Sequence, residues 1–289
     1  MKNIFKGLGV ALVTPFCEDG SVDYDALVNI IEYQIINGAD FFCILATTGE
    51  TPTLTTEEKS KIKSLIIKTV NGRVPLLIGC GGNNTAAVCS ELRQSDFTGI
   101  DGVLSVCPYY NKPTQEGLYQ HFKAIAEASP LPVVLYNVPG RTGVNLSAGT
   151  TCRLASACEK IVAIKEASGN INQIYEILNN KPEDFDVISG DDSLTLDMMK
   201  HGAVGIISVI GNGLTGKFSS LVHLAQSGDY RKAEEIDREL SDLYRLLFVD
   251  GNPAGIKVLM NKIGLLKNVL RLPLVPASQS TSEKILSYM

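Results

Sequence analysis

The amino-acid sequence predicts an α/β protein: a (β/α)8 TIM barrel followed by a C-terminal helical extension. Short apolar runs alternate eight times with segments whose apolar residues recur every three or four positions, which is the pattern of strands and helices in turn. This alternation implies right-handed crossovers and a parallel sheet, and eight such units match a closed barrel. After Val209 the strand pattern stops. An open, doubly wound sheet is the structural alternative.

The bounds of the predicted elements follow from the same pattern. The strands are expected at residues 7–14, 41–46, 76–79, 102–106, 133–136, 161–165, 186–189 and 204–209. The clearest helices between them are expected at residues 24–37, 56–70, 85–97, 115–128 and 172–180. Thr55 and Thr114 each stand where a helix N-cap is expected, and Gly38 and Gly202 stand where helix ends are expected.

The carboxyl-terminal part of the chain is predicted to be helical throughout. Three helices are expected at residues 218–227, 230–247 and 253–263, the second of them charged and amphipathic. We therefore expect a barrel with the catalytic site at residues 1–215 and a helical extension at residues 216–289. No low-complexity linker separates the two, so the extension is expected to pack on the barrel.

Composition and charge exclude several classes of function. The 289 residues carry a formal net charge of −5 and no run of lysines and arginines, so no nucleic-acid partner is expected. The glycine-rich segment 202–216 is too short to span a membrane, and the apolar stretch at residues 8–13 lacks a cleavage site; we predict a cytoplasmic protein with no membrane partner. Seven cysteines without a C-x-x-C pair indicate reduced thiols, and the three histidines form no zinc site with them.

Lys165 is the residue that points most directly to a chemistry. It ends the apolar run at residues 161–164, which reads as a strand buried on both faces. Burial disfavours the charged form of an amine, and a neutral amine attacks carbonyl carbon. A lysine that merely reaches solvent from a strand end is the ordinary alternative. The other residues at strand ends favour the nucleophile.

Hydroxyl, phenol and guanidinium groups follow several of the other strands. A barrel places its active site at the carboxyl ends of its strands, where Thr47 and Thr48, Tyr110, Tyr136 and Arg141 are expected. Each could have an ordinary role in a turn, in the core or at the surface. Together they fit carbonyl chemistry through an amine, with phenol and hydroxyl groups that move protons.

The segment Gly211–Gly216 matches the glycine pattern of dinucleotide-binding loops. A dinucleotide site would need a further strand after the next helix, with an acidic residue near its end. A second long charged helix follows instead. We therefore interpret the segment as a turn that closes the barrel, and a nucleotide-binding oxidoreductase is the less favoured reading.

The motifs, in this order, resemble the dihydrodipicolinate synthase / N-acetylneuraminate lyase family of class I aldolases over essentially the whole chain. The resemblance rests on the segments Thr47-Thr48-Gly49-Glu50, Pro108-Tyr109-Tyr110-Asn111-Lys112-Pro113, Tyr136-Asn137-Val138-Pro139, Arg141-Thr142-Gly143, Ile164-Lys165-Glu166 and Ser189-Gly190-Asp191-Asp192. Paired threonines, the second tyrosine of the Tyr-Tyr pair and an arginine five residues past Tyr136 are similar to the synthases of this family rather than to its sialic acid lyases.

The resemblance implies a lyase that condenses pyruvate with L-aspartate-4-semialdehyde through a Schiff base on Lys165, in the biosynthesis of diaminopimelate and lysine. Tyr136 would be the general acid and base. It would be linked through Thr48 to Tyr110 of a neighbouring subunit, and Thr47 belongs to the same catalytic set. No metal or organic cofactor is implied, because the lysine itself holds the substrate.

The resemblance also implies how the substrates are bound and how the chain assembles. Arg141 would bind the carboxylate of the semialdehyde, and Thr48 with the main chain at Ile207 would hold the carboxylate of pyruvate. Family members are commonly homotetramers built from tight dimers, and a tyrosine supplied across an interface makes a dimer the smallest complete unit.

Regulation and substrate choice are less closely fixed by the motifs. Lysine-inhibited members carry a histidine and other polar residues after the first motif and a glutamate on the next helix, where this chain has Thr56, Lys59 and Ala87. Weak or absent inhibition by lysine is therefore expected. Another pyruvate-dependent aldolase, acting on a 2-keto-3-deoxy sugar acid or 4-hydroxy-2-oxoglutarate, is the nearest rival. A barrel that binds a small carboxylate without turnover is the rival from another class.

Overall fold

Eight parallel strands close into a barrel in a computed structural model that describes residues 2–288. The strands, in chain order around the barrel, are β1 Gly7–Ala11, β2 Phe41–Ile44, β3 Leu76–Gly79, β4 Gly102–Val106, β5 Val133–Asn137, β6 Ile161–Glu166, β7 Asp186–Ser189 and β8 Gly205–Ser208. The barrel closes where β1 pairs with β8, from Gly7 opposite Gly205 to Val10 opposite Ser208. The predicted fold class is confirmed.

Helices surround the barrel and continue beyond its last strand. They are α1 Tyr24–Ile36, α2 Thr56–Val70, α3 Thr85–Gln94, α4 Gln115–Ala128, α5 Pro139–Thr142, α6 Ala148–Ala157, α7 Ile171–Asn180, α8 Thr195–Lys200, α9 Thr215–Gln226, α10 Tyr230–Leu246, α11 Ala254–Lys262 and α12 Gln279–Leu286. Thr55 forms a capping box with Glu58 at α2, and the Thr114 side chain accepts a hydrogen bond from the Gly117 amide at α4. Both helices therefore begin where their cap residues predict.

Several bounds differ from the sequence-based expectation. β1 ends at Ala11 rather than Thr14. The sequence predicts a longer strand because Leu12 and Val13 are apolar, and both are buried although they lie beyond the strand. α3 ends at Gln94 rather than Phe97, since Ser95 already has an extended backbone. The proposed division between residues 215 and 216 falls at the first residues of α9. Where the two units divide stays a prediction.

Apolar residues form two layers on either side of the sheet. The inner layer fills the barrel and includes Cys43, Leu104, Val134, Ile188 and Ile207. The outer layer lies between the sheet and the helices. Because side chains alternate along a strand, neighbouring residues of one strand serve different layers.

The segment Gly211–Gly216 follows β8 and connects its end to the end of β1. The Gly211 amide donates to the Ser208 hydroxyl at 2.9 Å. The Asn212 side chain donates to the carbonyl of Ala11 at 2.8 Å and accepts from the amide of Val13 at 3.2 Å. The segment is thus a turn that closes the barrel. Among residues 2–288, no helix has the length and apolar character needed to cross a membrane.

Candidate active site

A cleft of about 460 Å³ opens at the carboxyl ends of the strands, with Lys165 and Tyr136 in its wall. The two residues face each other across the β5–β6 pair, in which they are register partners. The Lys165 Nζ lies 4.3 Å from the centre of the Tyr136 ring. Lys165 is 6% exposed and Tyr136 is 7% exposed. The amine therefore sits in a protected place beside a phenol.

The inward direction of Lys165 depends on the absence of a side chain at Gly190. A Cβ placed on Gly190 would lie 3.0 Å from the Lys165 Cε and 2.7 Å from the Ala167 Cβ. The lysine side chain thus extends through space that only glycine leaves open. Cys43 on β2 belongs to the inner layer of the barrel, and burial raises the pKa of its thiol to about 11. This thiol is neutral at neutral pH.

Glu166, the residue after Lys165, is buried on the outer side of the same strand. Its carboxylate accepts hydrogen bonds from the Ser168 amide at 2.7 Å and from the Asn137 side chain at 3.1 Å. The Gln173 side chain donates to it at 3.4 Å. Burial raises the pKa of the Glu166 carboxyl. These bonds hold the end of β6 beside β5, which fixes the position from which Lys165 projects.

Thr47 and Thr48 begin a short 3-10 turn, Thr47–Gly49, directly after β2. Both line the cleft, and Thr48 is 3% exposed. The Thr48 Oγ1 accepts a hydrogen bond from the side-chain amide of Asn252 at 2.9 Å. Asn252 belongs to the extension, so the wall of the cleft is built from both parts of the chain.

Glu50, which ends this turn, is held by the extension as well. Its backbone is left-handed, with φ of 51°, and its side chain is fully buried. The Glu50 Oε1 pairs with the Lys257 Nζ at 2.5 Å, and Oε2 accepts from the Arg271 amide at 3.1 Å. Arg271 also forms two bonds to Glu58, at 2.6 and 2.7 Å. The turn is thereby fixed to α11 and to the chain that follows it.

Arg141 lies in α5, immediately beyond β5, and its guanidinium lines the cleft. The residue is exposed, and its Nη2 donates to the main-chain carbonyl of Asn252 at 3.4 Å. A planar guanidinium at the mouth of a cleft suits a carboxylate, which it can bind through two parallel hydrogen bonds.

Asp192 forms the wall of the cleft between β7 and β8. Its carboxylate accepts from the Ser208 hydroxyl at 2.6 Å and from the Ile210 amide at 3.0 Å. Burial raises the pKa of the Asp192 carboxyl to about 6. The neighbouring Asp191 also lines the cleft and accepts from the amide and the hydroxyl of Ser193.

Two of the predicted site residues do not line the cleft. Tyr110 is 87% exposed and has a left-handed backbone, with φ of 74°. Ile207 lies within β8, opposite Gly9, and is buried in the inner layer of the barrel. Lys165, Tyr136, Thr47, Thr48 and Arg141 all line the cleft. The catalytic and binding roles of the seven residues stay predictions.

Several residues that line the cleft were not predicted from the sequence. Asn252 is one, and a group on α10 and just beyond it is another: Ser241, Tyr244, Arg245 and Phe248. The Tyr244 hydroxyl donates to Asp237 at 2.9 Å, and burial raises the pKa of Tyr244. The charge pattern of α10 predicted an amphipathic helix but not the surface that it faces. The apolar and aromatic residues on one side of α10 are the sequence feature that could have indicated that this side faces the barrel.

Fold and cleft together define a (β/α)8 barrel enzyme of the class I aldolase type, with a protected amine at its centre. A family model described as the dihydrodipicolinate synthetase family matches residues 4–289, and the chain belongs to this family. The family resemblance of the motifs is thereby confirmed.

Individual relatives agree with this placement. A 4-hydroxy-tetrahydrodipicolinate synthase of Phocaeicola vulgatus is 60% identical over 97% of this chain and 94% of its own length. A solved dihydrodipicolinate synthase from Thermotoga maritima has a TM-score of 0.96 at 41% identity, over 99% of this chain and 98% of its own. A structure described as the first monomeric dihydrodipicolinate synthase variant has a TM-score of 0.95 at 41% identity, over 98% of this chain and 95% of its own.

Proposed function

We propose that this protein is a lyase that condenses pyruvate with L-aspartate-4-semialdehyde to 4-hydroxy-tetrahydrodipicolinate. The observation that carries the proposal is the buried Lys165 amine, which lies in the cleft 4.3 Å from the Tyr136 ring. Relatives named 4-hydroxy-tetrahydrodipicolinate synthase match nearly the full length of the chain, which supports the same reaction here. This reaction belongs to the biosynthesis of diaminopimelate and lysine.

The covalent intermediates of the proposed reaction form on the Lys165 amine. The Lys165 Nζ attacks the ketone carbon of pyruvate and water leaves, which gives a Schiff base. Loss of a proton from the methyl carbon gives an enamine, and this carbon adds to the aldehyde of the second substrate. The amino group of the second substrate then attacks the former ketone carbon, closes the ring and releases the lysine amine. One water is lost overall, and no cofactor takes part.

Proton movement is proposed to run through Tyr136, which acts as general acid and base beside the lysine. Thr48, with Thr47, would connect it to Tyr110 of a neighbouring subunit. The 87% exposure of Tyr110 in the single chain supports a contact with another copy. A homotetramer built from tight dimers is the proposed assembly.

The charged groups of the two substrates are assigned to different parts of the cleft. Thr48 and the main chain at Ile207 are proposed to hold the pyruvate carboxylate. Arg141, at the mouth, is proposed to bind the carboxylate of the semialdehyde, because its guanidinium lines the cleft and is exposed. The seven free cysteines support a reducing compartment, and we propose the cytoplasm.

The proposal is tested by a steady-state assay of pyruvate consumption with a panel of aldehydes. L-aspartate-4-semialdehyde should be used with the highest kcat/KM, and sugar-derived aldehydes and glyoxylate should be poor substrates. Preference for any of those other aldehydes would overturn the proposed substrate. The Arg141→Ala variant should lose about 10- to 100-fold in kcat/KM for the semialdehyde, since one charge-assisted pair is removed, and should still form the pyruvate adduct at a similar rate.

A further inference from the structure

Asn252 connects two of the residues assigned to the reaction, although it lies in the extension and far from them in sequence. Its side-chain Nδ2 donates to the Thr48 Oγ1 at 2.9 Å, and its main-chain carbonyl accepts from the Arg141 Nη2 at 3.4 Å. Asn252 is 7% exposed and lines the same cleft. We propose that Asn252 is a positioning residue that sets the direction in which the Thr48 hydroxyl donates its proton, an inference that rests on the proposed function.

The argument begins with the hydrogen bonds of Thr48. A threonine hydroxyl has one hydrogen to donate and two lone pairs that accept. The bond from Asn252 occupies a lone pair of Oγ1. Within residues 2–288 the Thr48 hydroxyl donates to no other group, so its hydrogen is left for the cleft. A hydroxyl in this state can pass a proton towards the substrate or towards Tyr136.

The orientation of the Asn252 amide decides this outcome. In the structure its nitrogen faces Thr48, and its Oδ1 is buried without a hydrogen-bond partner. If a carbonyl or carboxylate oxygen faced Thr48 instead, the hydroxyl would donate to that oxygen and its hydrogen would be withdrawn from the cleft. A buried acceptor without a partner is costly for the fold. Stability alone would therefore favour a side chain at position 252 that lacks the unpartnered Oδ1. Asn252 nevertheless stands there and donates to Thr48.

The extension contacts the turn after β2 at two places. Asn252 contacts Thr48 inside the turn, and Lys257 on α11 pairs with Glu50 at its end. Six residues of the extension, counted from Asn252 to Lys257, therefore span the whole threonine turn. A rigid segment of this kind can keep one side chain in the precise orientation that proton transfer requires.

A double-mutant cycle of Thr48→Val and Asn252→Ala tests the inference. Each single variant is expected to lower kcat by about 10- to 100-fold, a loss typical of one hydrogen bond in proton transfer. Asn252→Ala should change KM for pyruvate by at most about threefold, whereas Thr48→Val should also raise this KM, because Thr48 is proposed to hold the pyruvate carboxylate. In the Thr48→Val background, Asn252→Ala should cause no further loss, because Asn252 acts through the hydroxyl that is already absent. Losses that multiply in the double variant would overturn the proposal, as would an Asn252→Ala enzyme with unchanged kcat.

A second variant tests the direction of the bond. Asn252→Asp keeps the shape of the side chain but replaces the donor with an acceptor, so it should lower kcat at least as much as Asn252→Ala at pH 8. Full activity of Asn252→Asp would show that the Thr48 hydroxyl donates to this side chain, and the inference would be wrong. Asn261→Ala is the matched control, because Asn261 lies on α11 and its side chain donates to the Leu266 carbonyl away from the cleft. It should keep the wild-type kcat.

The inference and the proposed function fail in distinguishable ways. The rate at which borohydride traps the pyruvate adduct is measured for all variants without any aldehyde. If the wild type forms the adduct but does not use L-aspartate-4-semialdehyde, the proposed second substrate is wrong, and the cycle is evaluated on adduct formation. If adduct formation in the cycle is additive while the semialdehyde is used, only the role of Asn252 is refuted.

Discussion

The pair of Lys257 and Glu50 allows a quantitative prediction for the contact between extension and barrel. Both side chains have 0% exposure, and the Lys257 Nζ lies 2.5 Å from the Glu50 Oε1. Lys257→Met keeps most of the volume but leaves the Glu50 carboxylate with the Arg271 amide at 3.1 Å as its remaining partner. Removal of one member of a buried ion pair costs about 3–5 kcal/mol, because the other charge stays buried.

The loss should appear in the free energy of unfolding measured with urea, and as a decrease in Tm of roughly 5–15 °C. Lys217→Met is the matched control, since the pair of Lys217 and Glu239 is 42% and 62% exposed. Exposed pairs contribute about 0–1 kcal/mol, so this variant should stay close to the wild type. Equal stabilities of Lys257→Met and Lys217→Met would refute the reasoning that the buried pair fixes the turn after β2.

Three further predictions concern pH, backbone space and regulation. His121 is buried with its Nε2 unpartnered, and burial lowers its pKa to about 4. Because the unfolded state binds the proton more readily, the free energy of unfolding should fall as the pH drops below about 6.5, by up to about 3 kcal/mol near pH 4. His121→Gln should lack this part of the pH dependence when unfolding by urea is measured. Gly190→Ala should slow adduct formation by at least about 10-fold, because the new methyl group meets the Lys165 Cε at 3.0 Å; wild-type adduct formation would contradict this. The same methyl group lies 2.7 Å from the Ala167 Cβ, so the variant should also lose about 1–3 kcal/mol of stability. Half-maximal inhibition by sub-millimolar lysine would contradict the weak inhibition that Ala87 implies.

The parts of the site that depend on local sequence could be predicted. Lys165 and Tyr136 end apolar strands, and the strand period places both on the inner side of the barrel. The polar residues after the strands follow from the same rule, because all strands end at one rim. The overlong prediction for β1 shows the limit of the method: Leu12 and Val13 are buried in the outer apolar layer beyond the end of the strand, and an apolar buried residue looks like part of a strand in the sequence.

The parts that depend on long-range packing could not be predicted. Asn252 lies 204 positions from Thr48, and no periodic pattern brings a polar residue before a helix to a particular strand end. Lys257 lies on an apolar helix, where a charge looks like a break in the pattern until its partner Glu50 is known. The exposure of Tyr110 likewise depends on which surface of the barrel is left uncovered.

The central claim, that the protected amine at the end of the sixth strand forms the covalent intermediate, is tested most directly by mass mapping of the reduced adduct. The protein is incubated with pyruvate and sodium borohydride, digested, and its peptides are weighed. The account predicts a single modified lysine, Lys165, with the mass of a reduced pyruvate imine, and no adduct in Lys165→Met. An adduct on any other lysine, or none in the wild type, would contradict it.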